Sequence, residues 1–236
     1  MAKMTLLEMT QDILNDTDSD SVNSITDTTE SQQVAAIVRT AYGKLVTSRD
    51  DWPFLKTKTN LTGLGDTSNP TKMRLPTGTN KTFWIKYNGK DVTFLSPKDF
   101  TDLIDGREEQ ADVIDADGYG LASDPTYWTT YDDDYVFFDG RDSDTDTTLQ
   151  ESKAVMYGIV IPSWTHTDGF IPTLPEKMFP TLLADAKSTA FLVLKQQANP
   201  KEEAFAKAGR ARAQHSAYRA NHATHATNTG VDYGRK

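Results

Sequence analysis

The chain contains no cysteine. Disulfides and thiolate metal sites are therefore excluded, and the absence fits synthesis in a reducing compartment. Long apolar runs are also missing: nothing approaches the roughly 18 consecutive residues of a membrane span, so no membrane partner is expected. The opening residues, Met1–Leu14, carry acids in their first turns and no apolar core of the export-signal kind, so no export signal is read. Histidine is scarce, with only His166, His215, His222 and His225. His222 and His225 would share a helix face, but neither has an acidic neighbour to orient its ring, and no His-Glu-x-x-His pattern occurs. No segment fits a nucleophile elbow, a phosphate loop or a dinucleotide fingerprint. The nearest glycine cluster, Thr62–Gly65, lacks the third glycine and a following helix. The expectation is a protein with no catalytic residue, no cofactor and no resident metal.

What is present is polar and unevenly charged. Of 236 residues 37% are hydrophobic and the mean hydropathy is −0.57, which suits a subunit with a moderate core that gains stability from neighbours. The net charge is −9, but residues 171–236 hold ten Lys/Arg against five Asp/Glu, while residues 1–170 hold 15 against 29. An overall acidic surface argues against specific duplex binding, which needs a positive footprint. It would let DNA pass with only passive contact. In the basic third, Arg210, Arg212 and Arg219 are diluted by alanines. Docking onto an acidic protein surface uses that charge better than DNA binding would.

Periodicity divides the chain into four parts: N-terminal helices over 1–58, a β-rich insert over 59–170, a helical hairpin over 171–209 and a docking arm over 210–236. Thr5–Asn15 carries Leu6, Met9 and Ile13 on one helical stripe, and an Asp/Ser/Thr-rich linker stops it. Asp27 and Glu30 have capping-box spacing, and Val34, Ile37, Val38, Ala41 and Leu45 follow at helical intervals. Pro53 turns Trp52 and Phe54 into an extended aromatic corner. From Asn60 the period becomes two, with strands predicted at 72–75, 82–87, 91–95, 126–130, 135–138 and 154–161, and Asn88-Gly89 as a hairpin turn. A short helix is expected over Ser96–Gly106. Thr173 with Glu176 forms a second capping-box pattern. Phe179, Leu182, Leu183, Ala186, Ala190, Val193 and Leu194 make a long apolar stripe, ended at Asn199-Pro200 where another helix begins. The fold class is α+β: terminal helices packed as a bundle, a β-rich insert between them, and an extended C-terminal arm. From Arg210 onward there is almost nothing apolar to bury, so that arm is expected to order only against a partner.

Asp142–Asp146 imitates the first half of an EF-hand loop, yet Thr147 stands where the loop needs glycine and Lys153 where it needs glutamate. A solvated acidic loop is the simpler reading. Trp128 with Asp132–Asp134 could line a glycan-active cleft, although no acid–base pair is singled out by spacing.

The order of these parts resembles the head-to-tail adaptor family of short-tailed phages, also called tail tubular protein A or connector proteins. The resemblance rests on ESQQVAAIVRTAYGKL, the corner DWPFL, the strand YVFFD over Tyr135–Asp139, and the helix leading to NPKEE at Asn199–Glu203. It implies a structural virion protein made in the host cytoplasm, with twelve copies in a ring at the portal vertex. That ring would sit between the portal protein and the tail nozzle protein or tail fibres, and continue the DNA channel. Carried onto this chain, the portal-docking residues are Arg210, Arg212, His215, Tyr218, Arg219, Tyr233, Arg235 and Lys236. Deletion of Asn221–Lys236 is then expected to spare the fold and abolish docking. A fibre-anchoring or decoration protein is the alternative within the same virion class.

Overall fold

The computed structural model describes residues 3–108 and 124–223, the side chains of residues 108, 222 and 223 excepted. The described residues fall into two compact units, one formed by the chain up to Phe54 with the chain from Pro162, the other by Leu55–Ile161.

The first unit is helical. Helix α1 (Leu6–Asp16) starts on a true capping box: Thr5 Oγ1 accepts from Glu8 N at 3.2 Å, and Glu8 Oε2 accepts from Thr5 N at 2.7 Å. Its buried face is Leu6, Met9, Ile13 and Leu14. Helix α2 (Thr29–Thr47) begins one residue later than its acidic pattern predicts. Thr28 and Ser31 form the reciprocal cap, while the Asp27 carboxylate accepts from Asn23 N and Ser24 N and shapes the preceding turn. Val34, Val38, Ala41 and Leu45 are buried as the spacing requires, joined by Tyr42; Ile37 is half-buried. Tyr42 packs on Trp164 (ring centroids 5.3 Å apart), and Trp164 on Phe170 (4.7 Å). The aromatic corner is a single 3-10 turn, Pro53–Leu55, rather than an extended segment. Trp52 beside it is buried.

Helix α4 (Phe179–Lys195) follows a 3-10 turn at Glu176–Met178. The predicted Thr173–Glu176 box does not form; Pro175 precedes the turn without a side-chain cap, and Pro180 occupies the first turn of α4, where no backbone N–H is missed. Phe179, Leu182, Ala186 and Ala190 are buried, whereas Leu192 and Val193 are 59% and 53% exposed. Lys187 joins α4 to α1 through Asp12 (2.7 Å) and Asp16 (2.6 Å). Helix α5 (Pro200–Ala223) opens with Asn199 Oδ1 accepting from Glu202 N at 3.3 Å and packs on α4. The C-terminal helices thus pack against the N-terminal ones.

The second unit is a nearly closed, mixed eight-stranded barrel. Its strands are β1 (Lys56–Asn60), β2 (Thr62–Gly63), β3 (Lys72–Arg74), β4 (Thr79–Tyr87), β5 (Lys90–Phe94), β6 (Tyr127–Thr129), β7 (Tyr135–Phe138) and β8 (Ala154–Val160). They run in the order β1-β8-β4-β5-β6-β7-β3-β2, antiparallel except for β5 with β6. Helix α3 (Pro97–Glu108) lies between β5 and β6 in the chain. Asn88 and Gly89 hold φ of 49° and 77° and bring Ile85 opposite Val92, as the hairpin signal predicts. Leu61, Met73, Ile85, Tyr87, Val136, Phe138 and Met156 fill the interior. Strands β1 and β2 are not legible in the sequence. The Lys-Thr-Lys-Thr-Asn of β1 has no apolar face, and its place is set by pairing with β8 from Lys56↔Ile159 to Asn60↔Val155.

One buried carboxylate organises this unit. Asp139, directly after β7, accepts from Thr126 N and Tyr127 N at 2.8 Å each, and from Arg107 Nη2 at 2.9 Å. Arg107 Nη1 also reaches the Asp139 carbonyl at 2.9 Å. Burial of this carboxylate is compensated by three hydrogen bonds, one of them from a guanidinium.

Candidate docking surface

The arm expected to be extended from Arg210 is instead helical as far as it is described: α5 runs unbroken through Ala223. The physical reason is that alanine and glycine bury little area but permit close packing. Ala206 and Ala217 are 1% and 4% exposed, and Gly209 comes so near α4 that an added Cβ would lie 2.2 Å from Thr181 Oγ1. A stripe of small side chains therefore does what larger apolar residues do elsewhere.

Polar links tie the same face down. Arg210 Nη2 pairs with Asp185 Oδ1 of α4 at 3.2 Å. Arg49 Nη1 donates to the Gln214 carbonyl at 3.0 Å, and its guanidinium also grips Asp51. Asn221 Nδ2 donates to the Asp51 carbonyl (3.0 Å) and to Asp51 Oδ2 (2.7 Å). Asn221 is thus a fastening of the body, so deletion from Asn221 removes two hydrogen bonds along with the arm.

The opposite face is open. Arg212, His215 and Arg219 recur at three and four residues, all exposed, with Tyr218 beside them at 53% exposure. Arg210 is drawn to the inner side by Asp185. Tyr233, Arg235 and Lys236 lie outside the described residues. Spacing alone did not separate Arg210 from the other arginines, because the partner Asp185 sits on a different helix. Phe205, 47% exposed, is a surface residue that the reading of the arm passed over. It borders a cavity of about 350 Å³ with Met178, Thr181, Arg212 and Ser216. Its signal was a lone aromatic among charged and small residues in the first turns of a helix.

The other sequence candidates disperse. Asp142 folds its own loop, accepting from Asp144 N at 3.2 Å, and Asp146 pairs with Lys153. The lysine stands above its ordinary pKa, chiefly through that hydrogen bond. His166 and His215 are exposed; His225 lies outside the described residues, as does the side chain of His222. Among the described residues no three His, Asp or Glu side chains converge on a metal-sized site, and no helix is long and apolar enough to cross a membrane. Trp128 and Asp133 do line one cleft of the barrel, but the Asp132 carboxylate accepts from Asp134 N and Tyr135 N.

No protein-family model matches the chain, and no curated protein matches it.

Proposed function

We propose that the chain is a structural virion protein, a head-to-tail adaptor that forms a ring of about twelve copies, joins a portal ring to the tail nozzle and continues the DNA channel. Besides the order of sequence elements, one observation supports this reading. Helix α5 is sealed to its body along one side and presents a solvent-exposed cationic and aromatic side, Arg212, His215, Tyr218 and Arg219, on the other. Arginine and tyrosine are the side chains that carry protein interfaces, and a patch holding two arginines, repeated around a ring, multiplies weak contacts into avidity. Residues 224–236 would extend this docking element with Tyr233, Arg235 and Lys236.

The test is association with portal rings of the same phage, followed by gel filtration and electron microscopy. The full chain is expected to co-elute with the portal as a ring beneath it. A chain carrying Arg212→Ala, Tyr218→Ala and Arg219→Ala, and a chain ending at Ala223, are each expected to keep their thermal midpoint and lose association. A full chain that leaves portal rings bare refutes the reading.

A further inference from the structure

Between β4 and β5 the barrel wall opens. Strand β4 pairs with β8 over its whole length but with β5 only through Ile85, Lys86 and Tyr87. Beyond Val92, β5 turns to pair with β6 at Thr93 and Phe94. The opening is a cleft of about 480 Å³ lined by Thr79–Phe83 on one wall, Phe94 and Thr130 on the other, Leu75 and Trp128 at the floor and Asp133 at the lip.

A plain strand would turn alternate residues away from such a cleft. Here five consecutive residues line it, because β4 carries two irregularities of register, between Thr79 and Lys81 and between Thr82 and Trp84. Asn80 and Phe83 are the residues so displaced, and re-aiming a side chain is what bulges do beside binding sites. Gly158 of β8 makes the distortion sterically accessible: a Cβ there would meet the Lys81 carbonyl oxygen at 2.3 Å.

The lining is of two kinds. Phe83 and Phe94 are 39% and 51% exposed, one on each wall, and Phe94 is braced edge-on against buried Trp128 with centroids 4.8 Å apart. Between them lie polar groups with no hydrogen-bond partner among the described residues: the Asn80 amide, the Thr82 hydroxyl and the Asp133 carboxylate. Asp133 sits at φ 59°, a conformation unusual for a side-chain-bearing residue. Among the described residues, Lys81 is the only cation lining the cleft and Asp133 the only anion. The site therefore offers the exposed ring of Phe94 and the partly covered ring of Phe83, which packs on Tyr157 and lies beneath the Lys56 and Lys81 ammonium groups. It adds the unpaired amide, hydroxyl and carboxylate, and one charge of each sign.

We infer that this cleft binds a neutral oligosaccharide. A pyranose ring presents C–H faces that fit the exposed phenylalanines and equatorial hydroxyls that fit the amide, hydroxyl, ammonium and carboxylate between them. Anionic ligands are disfavoured, since residues 55–161 carry nineteen Asp/Glu against eleven Lys/Arg. An open aromatic-polar cleft in a sheet is a site for weak recognition, and multiple copies would raise its effective strength.

The experiment uses the full chain with four neutral probes: maltohexaose, cellohexaose, hexa-N-acetylchitohexaose and mannohexaose. Binding is read by saturation-transfer NMR and by titration up to on the order of 10 mM. At least one probe is expected to bind saturably, with transfer from aromatic protons. Phe94→Ala and Asn80→Ala are each expected to weaken it at least about tenfold. Asn80→Ala, which removes an exposed and unpaired side chain, keeps its thermal midpoint, while Phe94→Ala, which also loses the edge contact with Trp128, is measured well below its own midpoint. No binding by any of the four overturns the assignment, and so does binding that both substitutions leave intact. Oligothymidylate or an alternating Lys-Val peptide occupying the cleft while every sugar fails overturns it equally, and assigns the aromatics to base stacking or strand addition instead.

Discussion

At the scale of single residues, two positions decide more than their size suggests. Gly209 faces Thr181 with Oγ1, Cγ2 and Cβ all within 3.0 Å of where its Cβ would be. Rotating the threonine cannot clear Cβ, so α5 itself must move. Alanine in a helix interior normally gains about 1 kcal/mol over glycine, but forced overpacking costs about 1–3 kcal/mol, so the clash wins. Gly209→Ala is expected to lower the urea midpoint, and Thr181→Ala in the same chain to restore part of it, since Oγ1 and Cγ2 are removed while Cβ stays; a stabilised single variant contradicts this packing. Lys187 is the second position. Burial lowers its pKa, yet hydrogen bonds to Asp12 and Asp16 outweigh burial and hold it above the ordinary lysine value. A raised folded-state pKa stabilises the protonated form. That stability is complete below the unfolded value near about pH 10.4 and is lost as pH rises through the folded one. Lys187→Met is expected to cost about 1–3 kcal/mol at neutral pH. Its urea midpoint should approach that of the parent chain as pH climbs past the lysine range, and a gap constant with pH would show that the ion pair is not its source.

At the scale of elements, α5 shows how a helix can be fixed without large apolar residues. Its fastening points are Ala206, the adjacent pair Gly209 and Arg210, and then Ala217 and Asn221, which return to the same side two turns and three turns later. The inner face reaches Asn221, so truncation should have a sharp boundary. A chain ending at Ala223 is expected to melt like the full chain. One ending at Ala220 loses both bonds to Asp51 and should be destabilised by about 1–2 kcal/mol, measured by thermal denaturation. Equal midpoints for the two truncations would mean that Asn221 contributes nothing. In the sequence, this element read as an arm with nothing to bury. Alanines count little in an area-based reading, and closeness of approach is a property of two helices together.

At the scale of the molecule, the two compact units differ in how they are drawn from the chain. The barrel is continuous in sequence, and its first and last strands, β1 and β8, pair with each other. All members of its principal core cluster come from Leu61 to Met156. Residues 55–161 produced alone are therefore expected to fold cooperatively, with dispersed amide proton resonances and protected amides in β4 and β8. Spectra of a collapsed, undispersed chain would show that the core does not suffice. The helical unit is discontinuous, so neither of its halves is expected to fold alone: α2 packs on α4, and α1 packs on α2 and, to a lesser extent, on α4.

The sequence by itself determined the terminal helices, most strand positions, the Asn88-Gly89 turn and the cationic character of α5, because periodicity, turn chemistry and charge are local. It misplaced the caps of α2 and α4, where Thr28–Ser31 competed with an equally plausible acidic pattern and Pro175 displaced a capping box. Tertiary structure alone decided three things: that polar β1 joins the sheet, that α5 is packed rather than free, and that Asn80, Phe83, Phe94 and Asp133 share one cleft. Each depends on residues far apart in the chain meeting across a strand pair, a helix interface or a gap in the barrel wall. Local preference carries no record of such meetings, because the free energy that selects them belongs to the pair and not to either residue.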